Sequence, residues 1–307
     1  GSTGSANTAI GYQAGLKITT GVNNLALGAS SMSTGTGVTG NGNLASGNAA
    51  LYALTSGELN TAVGNAYGAG TAVLAANTTG SYNVAVGSAA LNANISGNYN
   101  TAVGHSALNK NLTAEYNTAV GQRSLEANQT GQYNTAQGAN SLYTNISGSS
   151  NVAVGYSALF TSIGGNNTAV GYQAGYLLDT LSKQTFVGYQ AGYNRSTNGD
   201  NYATTMIGHL AGFTTSTGVD NTYVGGLAGR YQIGNANTAL GSGALHGVST
   251  LAVSDQNTAL GYIALYNVTT GFINTAVGYG AGYLITSGAK NTIIGGYTGN
   301  QGGLDIR

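Results

Sequence analysis

Eight carboxylates are spread over the 307 residues: Glu58, Glu115, Glu126, Asp179, Asp200, Asp220, Asp255 and Asp305. Glycoside hydrolysis would need two of them about 5–10 Å apart, on either side of the scissile bond. Much of this chain repeats every 17 residues, so partners on neighbouring coils would be 17 apart, and no two acids have that spacing. Glu115 and Glu126 are the pair that could approach across a coil. We expect solvated loop charges and no enzymatic activity. His105, His209 and His246 fall far apart in the repeat order, whereas zinc needs convergent ligands; they read as surface variants. There is no cysteine, which removes thiolate metal sites and disulfides. Gly225-Gly226 lacks the lysine and following helix of a phosphate loop. No cofactor and no metal is therefore expected.

Binding chemistry is better represented. Tyr82, Tyr99, Tyr116 and Tyr133 recur every 17 residues, and stacked tyrosines form either a stabilising ladder or a strip against which sugar rings pack. We expect the ladder, with glycan contact as the alternative. Asn94, Asn111, Asn128 and Asn145 share the same spacing, and each begins Asn-x-Ser/Thr. The motif is an N-glycosylation acceptor in a eukaryotic secreted protein; an asparagine ladder at a turn is the simpler reading.

The element that positions these residues is a repeat. The block Asn-Thr-Ala-Val-Gly stands at 60–64, 100–104, 117–121, 167–171 and 274–278, and altered copies bring the total to seventeen. A fixed period of this length marks a repeat architecture. Numbering from the asparagine, column one is Asn except at Gln184 and Thr204, column two is mostly Thr, and column three is mostly Ala. Column four is Val, Ile or Leu except at Ser46 and Gln137, and column five is always Gly. Columns two and four alternate with one and three, which is the period of a strand. Columns two and four are expected to be buried. Column three, which accepts Phe186, Met206, Tyr223 and Ile293 as well as Ala, is expected to face outward. There its alanines would let another chain approach closely. The column-five glycines, among them Gly11, Gly64, Gly104, Gly121, Gly171 and Gly278, are expected to end each strand for want of space or because of their backbone angle. Column nine is Leu in eight copies and Gly in eight, with Met32 the exception. Where it is Gly, an aromatic such as Tyr176, Tyr193, Phe213 or Tyr283 often follows, and we expect it to fill the missing volume. Ser/Thr-Gly pairs three residues before the next Asn read as turns. Insertions collect in this half.

These features predict an all-β, elongated parallel β-solenoid or β-roll of about seventeen coils, read as one repetitive domain over 1–307 with repeat cores from Asn7 to Gly299. At about 4.8 Å per parallel strand it would be a rod on the order of 80 Å long. The thin core and the column-three alanines point to a homotrimer. Charge is scarce, eight residues of each sign, far below the roughly 25% of ordinary soluble proteins. The basic residues are scattered, so nucleic-acid binding is not expected. No apolar run approaches the roughly 20 residues of a membrane-spanning helix, and the first residues do not read as a signal peptide.

The Asn-Thr-Ala-Val-Gly-x-x-Ala block resembles the Ser-Val-Ala-Ile-Gly-x-x-Ala repeat of trimeric autotransporter adhesin heads, over the strand and following turn of all copies. Those heads are left-handed parallel β-rolls of three associated chains with a shorter period. NTAVGYQAGY at 167–176 and the closing NTIIGGYTGNQGGLDIR are similar to segments of marine bacteriophage tail-fibre and structural proteins. The second resemblance implies a shaft that precedes a tip or chaperone domain, and this chain as a piece of something longer. The expected function is the shaft of a phage tail fibre, on a virion or cell-surface appendage, that projects a receptor-binding tip for host attachment. The alternatives are a bacterial adhesin head that binds glycan or matrix along its flank, and an ice-binding solenoid, for which the threonine column would have to face outward. The expected partners are further copies of the chain and a cell-surface glycan or host receptor, with no membrane insertion.

Overall fold

A computed structural model describes residues 4–34, 36–66, 70–195, 203–214, 217–248 and 252–299. Asp200, Asp305 and the end of the closing string lie outside the described residues. The chain divides into two compact units, Gly1–Tyr156 and Ser157–Arg307. The first carries β1 (Thr8–Ile10), β2 (Leu25–Leu27), β3 (Leu44–Ser46), β4 (Thr61–Val63), β5 (Val84–Val86), β6 (Thr101–Val103), β7 (Thr118–Val120), β8 (Thr135–Gln137) and β9 (Val152–Val154). The second carries β10 (Thr168–Val170), β11 (Thr185–Val187), β12 (Thr205–Ile207), β13 (Thr222–Val224), β14 (Thr238–Leu240), β15 (Thr258–Leu260), β16 (Thr275–Val277) and β17 (Thr292–Ile294).

Both units are parallel β-solenoids. Within each unit a strand pairs with the next copy in strict register, as Thr101 with Thr118 and Val103 with Val120, or Thr258 with Thr275 and Leu260 with Val277. Three residues per strand would be too few to hold a sheet alone. The ladder, however, continues round the coil. Leu91 N–H donates to Ala107 O at 3.0 Å, Ala93 N–H to Asn109 O at 3.0 Å and Ile95 N–H to Leu112 O at 2.9 Å. The 17-residue period thus brings nearly every backbone polar group beside its equivalent one coil on, so the orphan groups of a turn become ladder partners.

The inward face is the opposite of the one expected. Column three is the core: Ala102, Ala119, Ala136, Phe186, Met206 and Tyr223 are fully buried, and Ile293 nearly so. The residues of columns two and four, such as Thr118, Val120 and Val170, are half-buried or exposed. Alternation fixes only which columns share a face, and the lumen decides which face turns in. Column one shares its face with column three, and its Asn is needed inside to satisfy corner backbone groups. In the first unit a narrow lumen already holding the column-nine leucines Leu91, Leu108, Leu125 and Leu142 then accepts Ala beside them. The supposed outward alanine stripe is therefore internal and offers no surface to a second chain. The core is also less thin than the composition implied, because that leucine rank fills it.

The Leu-or-Gly choice in column nine follows from the same packing. The position is left-handed, with φ +50° at Leu125 and +62° at Gly175. A Cβ on Gly192 would lie 2.5 Å from the Phe186 ring, and one on Gly175 would lie 2.7 Å from that ring. At Gly175, Gly192, Gly212 and Gly229 the missing leucine volume is filled by the large column-three side chain of the same or the next coil. The aromatics that follow the glycine do not fill it. Tyr176, Tyr193, Phe213 and Tyr283 are half-buried and stack outside the lumen, with Tyr176–Tyr193 centroids 5.1 Å apart.

Candidate functional site: ordered ladders of side chains

The column-five glycines meet both conditions the sequence offered. Gly11, Gly64, Gly104, Gly121, Gly171 and Gly278 have φ between +132° and +156°. A Cβ on Gly104 would lie 2.6 Å from the Gly121 carbonyl oxygen. Beyond each strand the chain turns in a conformation that L side chains resist, with the next coil pressed against it. The glycines three residues before the asparagine are fixed by space: Gly271, without a left-handed angle, would place a Cβ 2.5 Å from Gly288 O.

Close approach there serves the asparagine ladder. Asn117 Oδ1 accepts from Asn134 N–H at 2.9 Å, and Asn117 Nδ2 donates to Gly131 O at 2.9 Å. Each such asparagine thus joins its coil to the next at one backbone donor and one backbone acceptor, and Asn117 does so in full burial. The second ladder runs through Asn77, Asn94, Asn111, Asn128 and Asn145. Each later Nδ2 donates to the preceding Oδ1, at 2.8, 2.7, 3.2 and 3.0 Å. These amides are fully buried. The ladder is observed, and the amide nitrogen that a glycan would occupy lies inside the coil.

Gln184 and Thr204, the two breaks in column one, are repaired by a residue outside the repeat's fixed columns. Arg195 is fully buried. Its Nε donates to Gln184 Oε1 at 3.1 Å, its Nη2 to Thr204 Oγ1 at 2.9 Å and its Nη1 to Gly218 O at 2.6 Å. The last contact is the one an asparagine at 204 would make, since Gly218 stands where Gly131 stands for Asn117. Burial pulls the guanidinium down to about 10 against the attraction of Tyr223 and Asp220, so at neutral pH it stays charged. The signal in the sequence was the coincidence of two successive exceptions in column one with a charged residue between them.

The tyrosine ladder lies on the outside of the first unit. Its ring centroids are 4.8, 5.1 and 5.3 Å apart from Tyr82 through Tyr99 and Tyr116 to Tyr133, and the planes agree within 6°. All four rings are exposed, between 45% and 58%. Beside them runs a polar row in which Asn98 Nδ2 donates to Glu115 Oε1 at 2.6 Å and Ser81 N–H to Asn98 Oδ1 at 2.8 Å. Partial burial between its neighbours, then the Glu115 carboxylate and the adjacent phenols, raise the Tyr116 hydroxyl above the ordinary tyrosine value. Because the rings cover one another's faces, the ladder presents edges and hydroxyls to solvent. Of the four, Tyr133 at the end of the ladder is the most exposed, at 58%.

The remaining titratable groups are dispersed. Glu58 accepts from Asn41 Nδ2 at 2.9 Å, and Asp255 accepts from Asn235 N–H at 2.7 Å. Glu126 pairs with Arg123, whose guanidinium lies 4.7 Å from the centre of the Tyr143 ring. Glu115 and Glu126 therefore serve different partners. Among the described residues no three His, Asp or Glu side chains group to hold a metal. His105 and His209 are exposed, as expected. His246 is not. It is buried, stacks on Tyr266 at 4.5 Å, and its Nδ1–H donates to Gly247 O at 2.6 Å. An open groove of about 390 Å³ runs over the first strands, where Ser46 interrupts the aliphatic row of Ile10, Leu27 and Val63. Among the described residues no helix is long and apolar enough to cross a membrane. No protein-family model and no curated protein matches the chain.

Proposed function

We propose that the chain is the shaft of an extracellular fibre, most specifically a phage tail fibre that holds a receptor-binding tip away from the particle for host attachment. The observation that carries this reading is where the repeated residues go. The invariant glycine, the column-one asparagine and the glycine before it are all spent on joining one coil to the next. A sequence that repeats its joints copy after copy is built for extension, and variation is left to the outer positions. Self-association belongs to the proposal, as a homotrimer. With the alanines internal, the surface offered to another copy is the charge-free sheet face of columns two and four, as in Thr222 and Val224. Electron microscopy of the purified chain should show uniform extended rods with the mass of three chains in light scattering. Compact monomers would overturn the proposal.

Two observations support other readings. The exposed tyrosine ladder favours an adhesin head that binds glycan along its flank, and a glycan array with the isolated chain separates the two, since a spacer gives no hits. The outward threonine rank, unbroken from Thr168 to Thr292 in the second unit, favours an ice-binding face, as one rank beside an aliphatic one. Thermal hysteresis of the purified chain would support it, and its absence would remove it.

A further inference from the structure

We propose that Tyr82, Tyr99, Tyr116 and Tyr133 form a site of oxidative cross-linking, where tyrosines of successive coils join as dityrosine and staple those coils covalently. The coupling needs two phenols held side by side, each reachable by an oxidant, with their ortho carbons free to meet. The ladder supplies all three conditions. Centroid separations of 4.8 to 5.3 Å and nearly parallel planes put equivalent ring carbons one coil apart. The rings are about half-exposed. Their backbones are pinned, Tyr99 N–H to Ser81 O at 3.1 Å and Tyr116 N–H to Asn98 O at 3.2 Å, while the exposed side chains can hinge until two ring edges touch.

The co-reactant is hydrogen peroxide acting through a haem peroxidase. It takes one electron and one proton from each of two phenols. The two phenoxyl radicals form a carbon–carbon bond between their ortho positions. The two displaced ring hydrogens move to the oxygens and restore the phenols. The peroxide gains two electrons and two protons and leaves as two molecules of water.

Some other stacks are less suited, whereas the exposed pair Tyr262–Tyr279, 5.3 Å apart, meets the same conditions with its planes inclined by 24°. Tyr176 and Tyr193 are half-buried, and their outer neighbours are Phe160 and Phe213, which cannot form a phenoxyl radical. Tyr189 has Tyr172 on one side and His209 on the other. In the first unit's ladder a radical on a middle ring finds a phenol both above and below. The proposal does not depend on what the chain is for.

The test is to treat the dilute full chain with peroxidase and hydrogen peroxide, follow dityrosine fluorescence, and map joined peptides by mass spectrometry after proteolysis. We expect peptides that join Tyr82 to Tyr99, Tyr99 to Tyr116 or Tyr116 to Tyr133, formed at a rate independent of protein concentration. The double variant Tyr99→Phe/Tyr116→Phe keeps the stack but leaves Tyr82 and Tyr133 three coils apart, and it should lose these peptides. If no ladder pair is joined, or joined peptides arise only between chains in proportion to concentration, the proposal is overturned. Full dityrosine yield in the double variant would overturn it as well.

Discussion

At Gly121 two constraints meet in one atom that is absent. A methyl group there would lie 2.6 Å from the Gly138 carbonyl carbon, on a backbone with φ +133°. Gly121→Ala should therefore destabilise the first unit by on the order of 3 kcal/mol, from strain and a backbone shift together. An unchanged denaturant midpoint would contradict this. Asn117 rests on a different balance. Its loss leaves the Asn134 N–H and the Gly131 carbonyl without their buried partners, so Asn117→Ala should cost about 2–4 kcal/mol, read from the same titration. His246 carries a pH dependence. Burial lowers its pKa, the Gly247 hydrogen bond opposes that, and Arg230 adds to it. The unfolded chain, with an ordinary histidine near about 6.5, takes up its proton at a higher pH than the folded chain does. Stability is then fully present above that value and is lost as pH falls through it toward the lower folded pKa. His246→Phe should flatten the decline in melting temperature of the second unit between about pH 7 and pH 5; a wild-type profile already flat in that range would refute it. These single-residue roles were largely legible, because glycine and asparagine answer backbone needs that recur at fixed offsets. Arg195 was not. Its three acceptors lie on Gln184, Thr204 and Gly218, and no periodic position announces that meeting.

At the scale of the strand, parity was readable and direction was not. Period two says that Thr and Val share a face, and hydrophobicity alone turns that face inward. Two requirements reverse it: the asparagine must reach corner backbone groups, and a narrow lumen admits only a small residue beside a leucine. The correct orientation had a trace in the sequence. Phe186, Met206 and Tyr223 are each followed six residues later by glycine, at Gly192, Gly212 and Gly229, whereas Ala102 and Ala119 are followed by Leu108 and Leu125. Large and small trade places only between residues that share one volume. The trade can be measured. Ala119→Phe should overpack the first unit and cost about 1–3 kcal/mol. Leu125→Gly should by itself open a cavity, at about 2–5 kcal/mol less any relief of its left-handed strain. The double variant should lose less than the sum of the two, with a coupling of about 1 kcal/mol or more in a double-mutant cycle. Strict additivity would mean that the two side chains do not compete for space.

For the molecule as a whole, the coil is the unit of change. In a solenoid each coil contacts its neighbours, and stability is approximately a sum over coils and their junctions. Deleting residues 101–117 removes one complete repeat and brings Asn100 up to Thr118, so every ladder in the first unit closes over the gap. That variant should keep its circular-dichroism spectrum and unfold with a slightly smaller denaturant slope. Deleting 101–109 puts glycine, leucine and asparagine columns out of step and should abolish cooperative unfolding of that unit; equal tolerance of the two deletions would be incompatible with in-register packing. The repeat and its period were plain in the sequence, but which ladders would be buried was not, because an Asn-x-Ser/Thr motif reads the same inside a coil as outside. The Asn77-to-Asn145 row carries one more consequence. Each Nδ2 from Asn94 to Asn145 donates toward the chain's beginning, so these amide dipoles add along the stack and polarise one another, where the strand dipoles of a sheet leave only a small net field. The first unit thus holds, in side chains alone, the electrical counterpart of a helix macrodipole, with an electropositive and an electronegative end at opposite extremes of a row of uncharged residues.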